Sequence, residues 1–171
     1  MYSHLYFHTL VAMRIFIVDD ESFQRETLKD FIAGKFPQAE LFPFRTGEDA
    51  LREIFKKPDC VILDYYLNIE KPDAANGLQI LEQIKNVLPD VPVIMLSSQE
   101  DPAIAAEIIK HGAYDYVVKN ESSFARIQLL LYKIYGLQEL RDKLGFQRVM
   151  NIILLILFLA LIAGVIFKLL F

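Results

Sequence analysis

The stretch RIFIVDD at residues 14–20 decides the fold, because four apolar residues lead directly into two adjacent aspartates. Short apolar runs of this kind, bounded by turn-forming residues, are typical of parallel strands that are buried on both faces. Three more runs share the pattern, and each carries a polar residue at its carboxyl end: CVILD at 60–64, VIMLS at 93–97 and YVVK at 116–119. The sequence therefore predicts at least four buried parallel strands.

Amphipathic segments separate these strands and predict helices. They lie near residues 22–34, 47–56, 77–87, 102–110 and 122–135. A strand that alternates with helices in this way implies right-handed crossovers and helices on both faces of one sheet. We expect an α/β fold with a doubly wound parallel sheet in a three-layer arrangement.

Individual residues refine this scheme. A fifth strand is expected near 40–45. Pro43 marks it as an edge strand, because proline has no backbone N–H to donate to a neighbouring strand. Gly34 is the expected C-cap of the first helix. Thr46 is the expected N-cap of the second helix, with Asp49 in a loose version of the capping box.

The polar residues at the strand ends predict a site. The carboxyl ends of parallel strands meet at one edge of an open α/β sheet, so Asp19, Asp20 and Asp64 should lie close to Ser97 and Lys119. Three neighbouring carboxylates stay ionised readily only beside a cation, and oxygen ligands in a phosphate-handling site favour Mg²⁺. An aspartate can also act as a nucleophile and form an acyl phosphate, with a metal and a lysine neutralising the phosphoryl oxygens.

In these motifs the chain resembles the receiver domain of two-component response regulators. The resemblance covers about residues 13–135 and rests on VDDE at 18–21, ILD at 62–64, MLSS at 95–98 and GAYDYVVK at 112–119. It implies a flavodoxin-like sheet and a role in phosphorelay signal transduction. The phosphoryl group would come from a sensor histidine kinase or a phosphotransfer protein, and the chain would catalyse only its own phosphorylation and dephosphorylation.

The resemblance implies a magnesium site with defined ligands. Asp20 and Asp64 would bind Mg²⁺ directly, together with the backbone carbonyl of Tyr66. Asp19 would act on the metal through a water molecule.

The resemblance also assigns the phosphoryl site. Asp64 would accept the phosphoryl group, and Ser97 and Lys119 would contact it. Ser97 and Tyr116 would form a switch pair, in which the hydroxyl turns toward the phosphoryl group as the aromatic ring moves inward. The chain departs from the family at Asn120, where proline usually follows the lysine.

The end of the chain is apolar and predicts a membrane anchor. Residues 152–167 include no charged or strongly polar side chain. About 20 apolar residues at a rise of about 1.5 Å span the hydrocarbon core of a bilayer, so a transmembrane helix is expected at 151–171. The alternative is a buried C-terminal core helix. Arg141, Lys143 and Arg148 precede the run and favour a cytoplasmic location for the preceding domain.

Four segments are expected along the chain: an N-terminal extension at 1–13, the receiver domain at 14–135, a linker helix at 136–150 and the transmembrane helix at 151–171. Leucines at 137, 140 and 144 could pair the linker with a second copy, or lie on the domain or on lipid, so a homodimer stays open. The linker leaves no room for a DNA-binding output domain before the span. Output is therefore expected through contacts with a downstream protein that the sequence does not name.

Composition excludes several other functions. The net charge is −4 and no basic stripe is present, so nucleic acid is not an expected partner. Cys60 is the single cysteine, so no disulfide can form within the chain. Two alternatives remain: an inactive scaffold with a receiver fold, and an aspartyl-phosphate phosphohydrolase. Haloacid-dehalogenase-like hydrolases place nucleophile and acid two residues apart, whereas Asp19 and Asp20 are adjacent.

Overall fold

The computed structural model describes residues 13–67 and 75–170, with side chains as far as residue 167. Residues 1–12 of the extension predicted at 1–13, and most of the loop before residue 77, lie outside the described residues. Five strands form one parallel sheet in the order β2-β1-β3-β4-β5. Their bounds are Arg14–Val18 (β1), Glu40–Phe44 (β2), Cys60–Asp64 (β3), Val93–Ser97 (β4) and Asp115–Val118 (β5). The predicted doubly wound α/β fold is confirmed.

Helices connect the strands in the predicted alternation. They are α1 (Ser22–Lys35), α2 (Gly47–Arg52), α3 (Gly77–Val87), α4 (Pro102–Lys110) and α5 (Ser123–Leu170), with a short 3₁₀ turn at Ile54–Lys56. Apolar side chains bury both faces of the central strands, and every residue of β3 and β4 is buried. The edge strand β2 is only partly buried, which agrees with the position of Pro43.

The strand register places the carboxyl ends side by side. Val18 of β1 pairs with Leu63 of β3, so Asp19 and Asp64 come next on neighbouring strands. Ser97 of β4 pairs with Val118 of β5, so Lys119 follows directly beside the serine. The sheet order changes direction between β1 and β3, and in open α/β sheets ligands bind at such a switch point.

The end of α1 differs from the prediction. Gly34 was expected as the C-cap, but it lies inside the helix, which is capped at Phe36 by a bond from its backbone N–H to the carbonyl of Ile32. Pro37 explains the difference, because a residue that precedes proline is disfavoured in the α conformation. The proline therefore sets the end of α1, whose C-cap lies two residues beyond the glycine.

The second helix is also shorter than expected. Thr46 caps it as predicted, since the Thr46 side chain accepts a hydrogen bond of 3.1 Å from the Asp49 backbone N–H. The α-helix then stops at Arg52 and continues as a 3₁₀ turn. Lys57 follows with a φ of 52°, a left-handed conformation that ends the helical path.

Gly77 is required by a close backbone approach at the start of α3. Its backbone N–H donates to the Tyr65 carbonyl at 3.1 Å, and a Cβ at Gly77 would lie 2.3 Å from the Asp64 carbonyl oxygen. The helix is capped by a reciprocal box between Asn76 and Gln79. The first turn of α3 therefore packs directly on the backbone at the end of β3.

Two glycine-to-alanine substitutions should have opposite effects. Gly77→Ala should lower the free energy of unfolding by about 1–3 kcal/mol, because the backbone must move to admit the methyl group. Gly34→Ala meets no atom within 4 Å and should raise it by about 0.5–1 kcal/mol, because alanine favours a helix interior. Thermal unfolding followed by near-ultraviolet circular dichroism measures both, and equal stability of the two variants would contradict the described packing.

The chain divides into two compact units, of which the first ends at Tyr132 and the second begins at Lys133. Helix α5 includes Gly136 and Gly145, and the predicted linker at 136–150 lies within it. One helix among the described residues is long and apolar enough to cross a membrane, with a mean hydropathy of 3.0 in its most apolar window. Its side chains from 152 to 167 are exposed.

Candidate functional site

Three carboxylates meet at the carboxyl edge of the sheet. One oxygen from each of Asp19, Asp20 and Asp64 lies within 4.8 Å of the others. Asp19 and Asp64 are buried, whereas Asp20 is partly exposed. The cluster predicted from the strand ends is therefore present, and it opens toward solvent at Asp20.

Lys119 pairs with two of these carboxylates. Its Nζ lies 2.9 Å from Asp19 Oδ2 and 3.0 Å from Asp64 Oδ1. The side chains are mostly buried, with 19% of Lys119 and 7% of Asp64 exposed. The loop that carries Lys119 is fixed to the neighbouring strand β4, because the Lys119 backbone N–H donates to the Ser97 carbonyl at 2.7 Å.

One lysine does not neutralise the cluster. Burial raises the pKa of the Asp64 carboxyl; Lys119 opposes this effect and Asp19 adds to it, and the net shift is upward. Burial by itself lowers the pKa of Lys119, but the charges of Asp64 and Asp19 outweigh it and raise that pKa. The ammonium therefore stays charged, while the ionised form of Asp64 is disfavoured.

The residues fit a hard divalent cation. Asp64 Oδ1 is buried and makes no hydrogen bond of acceptable geometry, although it lies in ion-pair contact with Lys119. Three carboxylates with one such oxygen form an all-oxygen donor set, which suits Mg²⁺. Tyr66 lies two residues beyond Asp64, and its ring meets the ring of Tyr65 edge-on at 4.9 Å.

Ser97 and Tyr116 are linked through the backbone of Gln99. The Ser97 hydroxyl is fully buried and accepts a hydrogen bond of 3.2 Å from the Gln99 backbone N–H. The Tyr116 hydroxyl donates to the Gln99 carbonyl oxygen. The two residues of the predicted switch pair therefore bond to the same residue in the loop after β4, Ser97 to its N–H and Tyr116 to its carbonyl.

The loop after Lys119 has an ordinary peptide geometry. Asn120 stands where the family usually has proline, and no cis peptide bond occurs within residues 13–67 and 75–170. The Asn120 side chain instead accepts hydrogen bonds from the backbone N–H and the hydroxyl of Ser122, at 3.0 and 2.8 Å. These bonds hold the turn immediately before α5.

Arg25 is a site neighbour that the sequence analysis missed. Its Nη1 donates to the Asp19 backbone carbonyl at 2.6 Å. A basic residue in the helix that follows an acidic pair is the one signal that could have pointed to it. The sequence also did not indicate that Gln99 connects Ser97 to Tyr116. Its backbone atoms make both contacts, so its side-chain type carries no signal.

A cavity of about 270 Å³ adjoins Asp19 and Lys119. Apolar side chains of α1 and of the first turns of α5 line it, among them Phe23, Leu28 and Phe124. Phe23 is 76% exposed, which is high for an aromatic side chain. An apolar surface therefore lies directly beside the acidic cluster.

A doubly wound sheet of this order, with an acidic cluster and a lysine at its carboxyl edge, defines the class of receiver-type signalling domains. The family model "Response regulator receiver domain" matches residues 15–130. This match covers more than half of the chain, and the chain belongs to the response regulator receiver family.

Known proteins agree with this assignment. The chain is 35% identical to the chemotaxis protein CheY of Thermotoga maritima, covering 64% of this chain and 87% of that protein. It is also 35% identical to a protein-glutamate methylesterase/protein-glutamine glutaminase of Bacillus subtilis, but there it spans only 32% of the relative's length. The receiver domain of NtrX from Brucella abortus has a similar structure, with a TM-score of 0.63, 28% identity, and coverage of 71% of this chain and 98% of that one.

Proposed function

We propose that the chain is a membrane-tethered receiver that accepts a phosphoryl group on Asp64 from a sensor histidine kinase or a phosphotransfer protein. The observation that carries this proposal is the state of Asp64. It is a buried carboxylate beside two other acids, and its Oδ1 lies 3.0 Å from the Lys119 Nζ. Such a carboxylate is poised to react with an electrophilic phosphorus when a cation is bound.

The transfer is a displacement at phosphorus. An Asp64 oxygen forms the new P–O bond as the P–N bond of a phosphohistidine breaks, and the imidazole leaves with the electron pair and takes up a proton. Lys119 remains beside the reacting carboxylate and neutralises charge on the phosphoryl oxygens. Fixed positive charge of this kind supplies most of the catalysis that phosphoryl transfer requires.

The acidic cluster would hold the metal that this step needs. Asp20 and Asp64 would bind Mg²⁺ with the Tyr66 backbone carbonyl, and Asp19 would reach it through water. Bound Mg²⁺ would offset the repulsion among the carboxylates and polarise the phosphoryl group. The close approach of the three carboxylates, within 4.8 Å, supports this assignment.

The signal would pass from Asp64 to the loop after β4. Ser97 would turn its hydroxyl from the Gln99 backbone N–H toward the new phosphoryl group. Because Tyr116 bonds to the carbonyl of the same Gln99, a shift of this residue would also move the Tyr116 ring. A downstream protein would read this change on the adjoining surface.

The apolar segment would anchor the receiver at a membrane as a single C-terminal span, with the receiver in the cytoplasm. The long apolar helix and the basic residues before it, Arg141, Lys143 and Arg148, support this topology. Anchoring would confine the phosphorylated domain to the bilayer, where two copies can meet, and the exposed leucines at 137, 140 and 144 are available for such a pair.

The chemistry is tested with the full chain in detergent micelles. Incubation with Mg²⁺ and acetyl phosphate should add one phosphoryl group, seen by intact-mass spectrometry, and a chelator should abolish the adduct. Asp64→Asn should remove it completely, because the amide is not a nucleophile. Asp59→Asn is the matched control, since Asp59 pairs with Arg14 at the opposite end of β3 and should leave phosphorylation unchanged.

Other results would favour the alternatives. No adduct on the folded wild-type chain would indicate an inactive scaffold. An adduct that forms on Asp64→Asn would place the chemistry elsewhere. Continuous release of inorganic phosphate from a phosphomonoester substrate would indicate a phosphohydrolase.

A further inference from the structure

Arg25 reaches back from α1 to the loop that carries the acidic pair. Its backbone N–H bonds to the Glu21 carbonyl at 3.0 Å, as expected for a first helical turn. Its guanidinium Nη1 donates to the Asp19 main-chain carbonyl at 2.6 Å. The side chain therefore connects the helix to the peptide group between Asp19 and Asp20.

Local helix energetics do not explain a cation at this position. The N-terminal end of a helix favours negative charge, and a positive charge there is unfavourable. Helix α1 has no acidic side chain in its first turn that would offset Arg25. Glu26 lies next to Arg25 and interacts with its charge, and the guanidinium donates its hydrogen bond to the Asp19 carbonyl.

The bond holds the peptide group that leads into Asp20. The Asp19 carbonyl and the Asp20 backbone nitrogen belong to one planar peptide group. A hydrogen bond to the oxygen therefore orients the whole peptide group that precedes the Asp20 Cα. Other bonds in this loop act on different groups: the Asp19 N–H bonds to Phe44, and the Glu21 N–H bonds to Asp19 Oδ1. Among these contacts, that of Arg25 is the one to the Asp19–Asp20 peptide oxygen.

We propose that Arg25 is a positioning residue that orients the Asp19–Asp20 peptide for binding of a divalent cation. This inference rests on the proposed function, in which the acidic cluster holds Mg²⁺. Because Mg²⁺ demands nearly ideal octahedral geometry, a loop fixed in advance binds it more tightly than a loop that must be ordered. Loss of a residue that orients metal ligands typically costs about 10–100-fold in affinity.

The charge of Arg25 and its hydrogen bond to the Asp19 carbonyl should have opposite effects on the affinity for Mg²⁺. A guanidinium near the acidic cluster repels a divalent cation, so removing its charge alone would tighten Mg²⁺ binding. Removing its hold on the peptide would weaken binding. We expect the second effect to dominate, with Arg25→Gln raising the Mg²⁺ dissociation constant by about tenfold or more.

Isothermal calorimetry of Mg²⁺ binding to the full chain in detergent micelles measures this constant. Arg25→Lys keeps the charge but has a single donor group, and it should fall between wild type and Arg25→Gln. Lys29→Gln is the control, because it removes the same charge one turn further along α1, where Lys29 pairs with Glu26. It should bind Mg²⁺ as wild type does.

A second readout separates positioning from a folding defect. At saturating Mg²⁺, Arg25→Gln should reach the wild-type level of phosphorylation from acetyl phosphate, because Asp64 and Lys119 are intact. Equal or tighter Mg²⁺ binding by Arg25→Gln, with normal binding by wild type, would overturn the role of Arg25 alone. A wild-type chain that binds no Mg²⁺ would overturn the proposed metal site and this inference with it.

Discussion

Replacing Lys119 with methionine is expected to lower the free energy of unfolding of the receiver by about 3 kcal/mol at neutral pH without divalent cations. Methionine keeps much of the side-chain length but removes the charge that pairs with Asp19 at 2.9 Å and Asp64 at 3.0 Å. Two mostly buried carboxylates then repel each other without a counter-ion. Denaturant titration in the presence of a chelator measures the loss.

The free energy of unfolding that Lys119→Met loses should be larger at high pH than at low pH. Burial raises the pKa of Asp64 even with Lys119 present, and loss of the lysine removes the effect that opposes the rise. The folded variant therefore takes up a proton at a higher pH than the unfolded chain, so acid favours its folded state relative to the unfolded one. The difference from wild type should shrink as the pH falls from about 8 to about 5.

Lys29→Met is the control for this prediction. Lys29 pairs with Glu26 at 2.6 Å on the exposed face of α1, where surface ion pairs contribute little to stability. It should unfold like wild type at every pH. A Lys119→Met variant as stable as the Lys29→Met variant would mean that the acidic cluster is not repulsive and does not need a cation.

Two arginines in the apolar segment should release the chain from membranes. At the centre of a span each arginine costs about 2.5–3.5 kcal/mol, so Leu157→Arg combined with Leu161→Arg should oppose insertion by about 5–7 kcal/mol. Both leucines are exposed in the described part of α5. Fractionation of cells into soluble and carbonate-washed membrane fractions measures the change, and wild type should remain with the membranes.

The same substitutions outside the proposed span provide the matched control. Leu140→Arg combined with Leu144→Arg adds the same charge at two exposed leucines of the same helix. This variant should fractionate like wild type. Recovery of the wild-type chain in the soluble fraction, or of all three chains with membranes, would contradict the assignment of a span to residues 151–171.

The strands and the site were predictable because their signals are local. Apolar runs such as CVILD at 60–64 identify buried strands, and a polar residue at the end of each run identifies the edge where the site lies. Parallel pairing then brings Asp19 and Asp64 together without further information. The distances and the pairing of Lys119 with both acids depend on side-chain packing and were not available from the sequence.

The helix ends show where local rules fail. Gly34 has the residue type of a C-cap, but Pro37 determines where α1 stops. The predicted linker at 136–150 lies inside α5, and Gly136 and Gly145 do not interrupt this helix, since a glycine costs only about 1 kcal/mol in a helix interior. The sequence alone does not show which of several nearby glycines and prolines ends a helix.

Contacts made by the backbone were also invisible in the sequence. Arg25 bonds to the Asp19 carbonyl, and Tyr116 bonds to the Gln99 carbonyl. A main-chain oxygen is present at every residue, so neither contact leaves a mark on the residue type of its acceptor. Only the folded structure shows these two bonds.

The central claim is that a phosphoryl group is carried by the Asp64 carboxylate, and residue-level mapping tests it most directly. The full chain is phosphorylated with acetyl phosphate and Mg²⁺ and treated with borohydride, which reduces an acyl phosphate and leaves free carboxylates unchanged. Peptide mass spectrometry then locates the reduced residue. The account predicts reduction at Asp64 alone, dependent on Mg²⁺; reduction at Asp19 or Asp20 with Asp64 unmodified would contradict it.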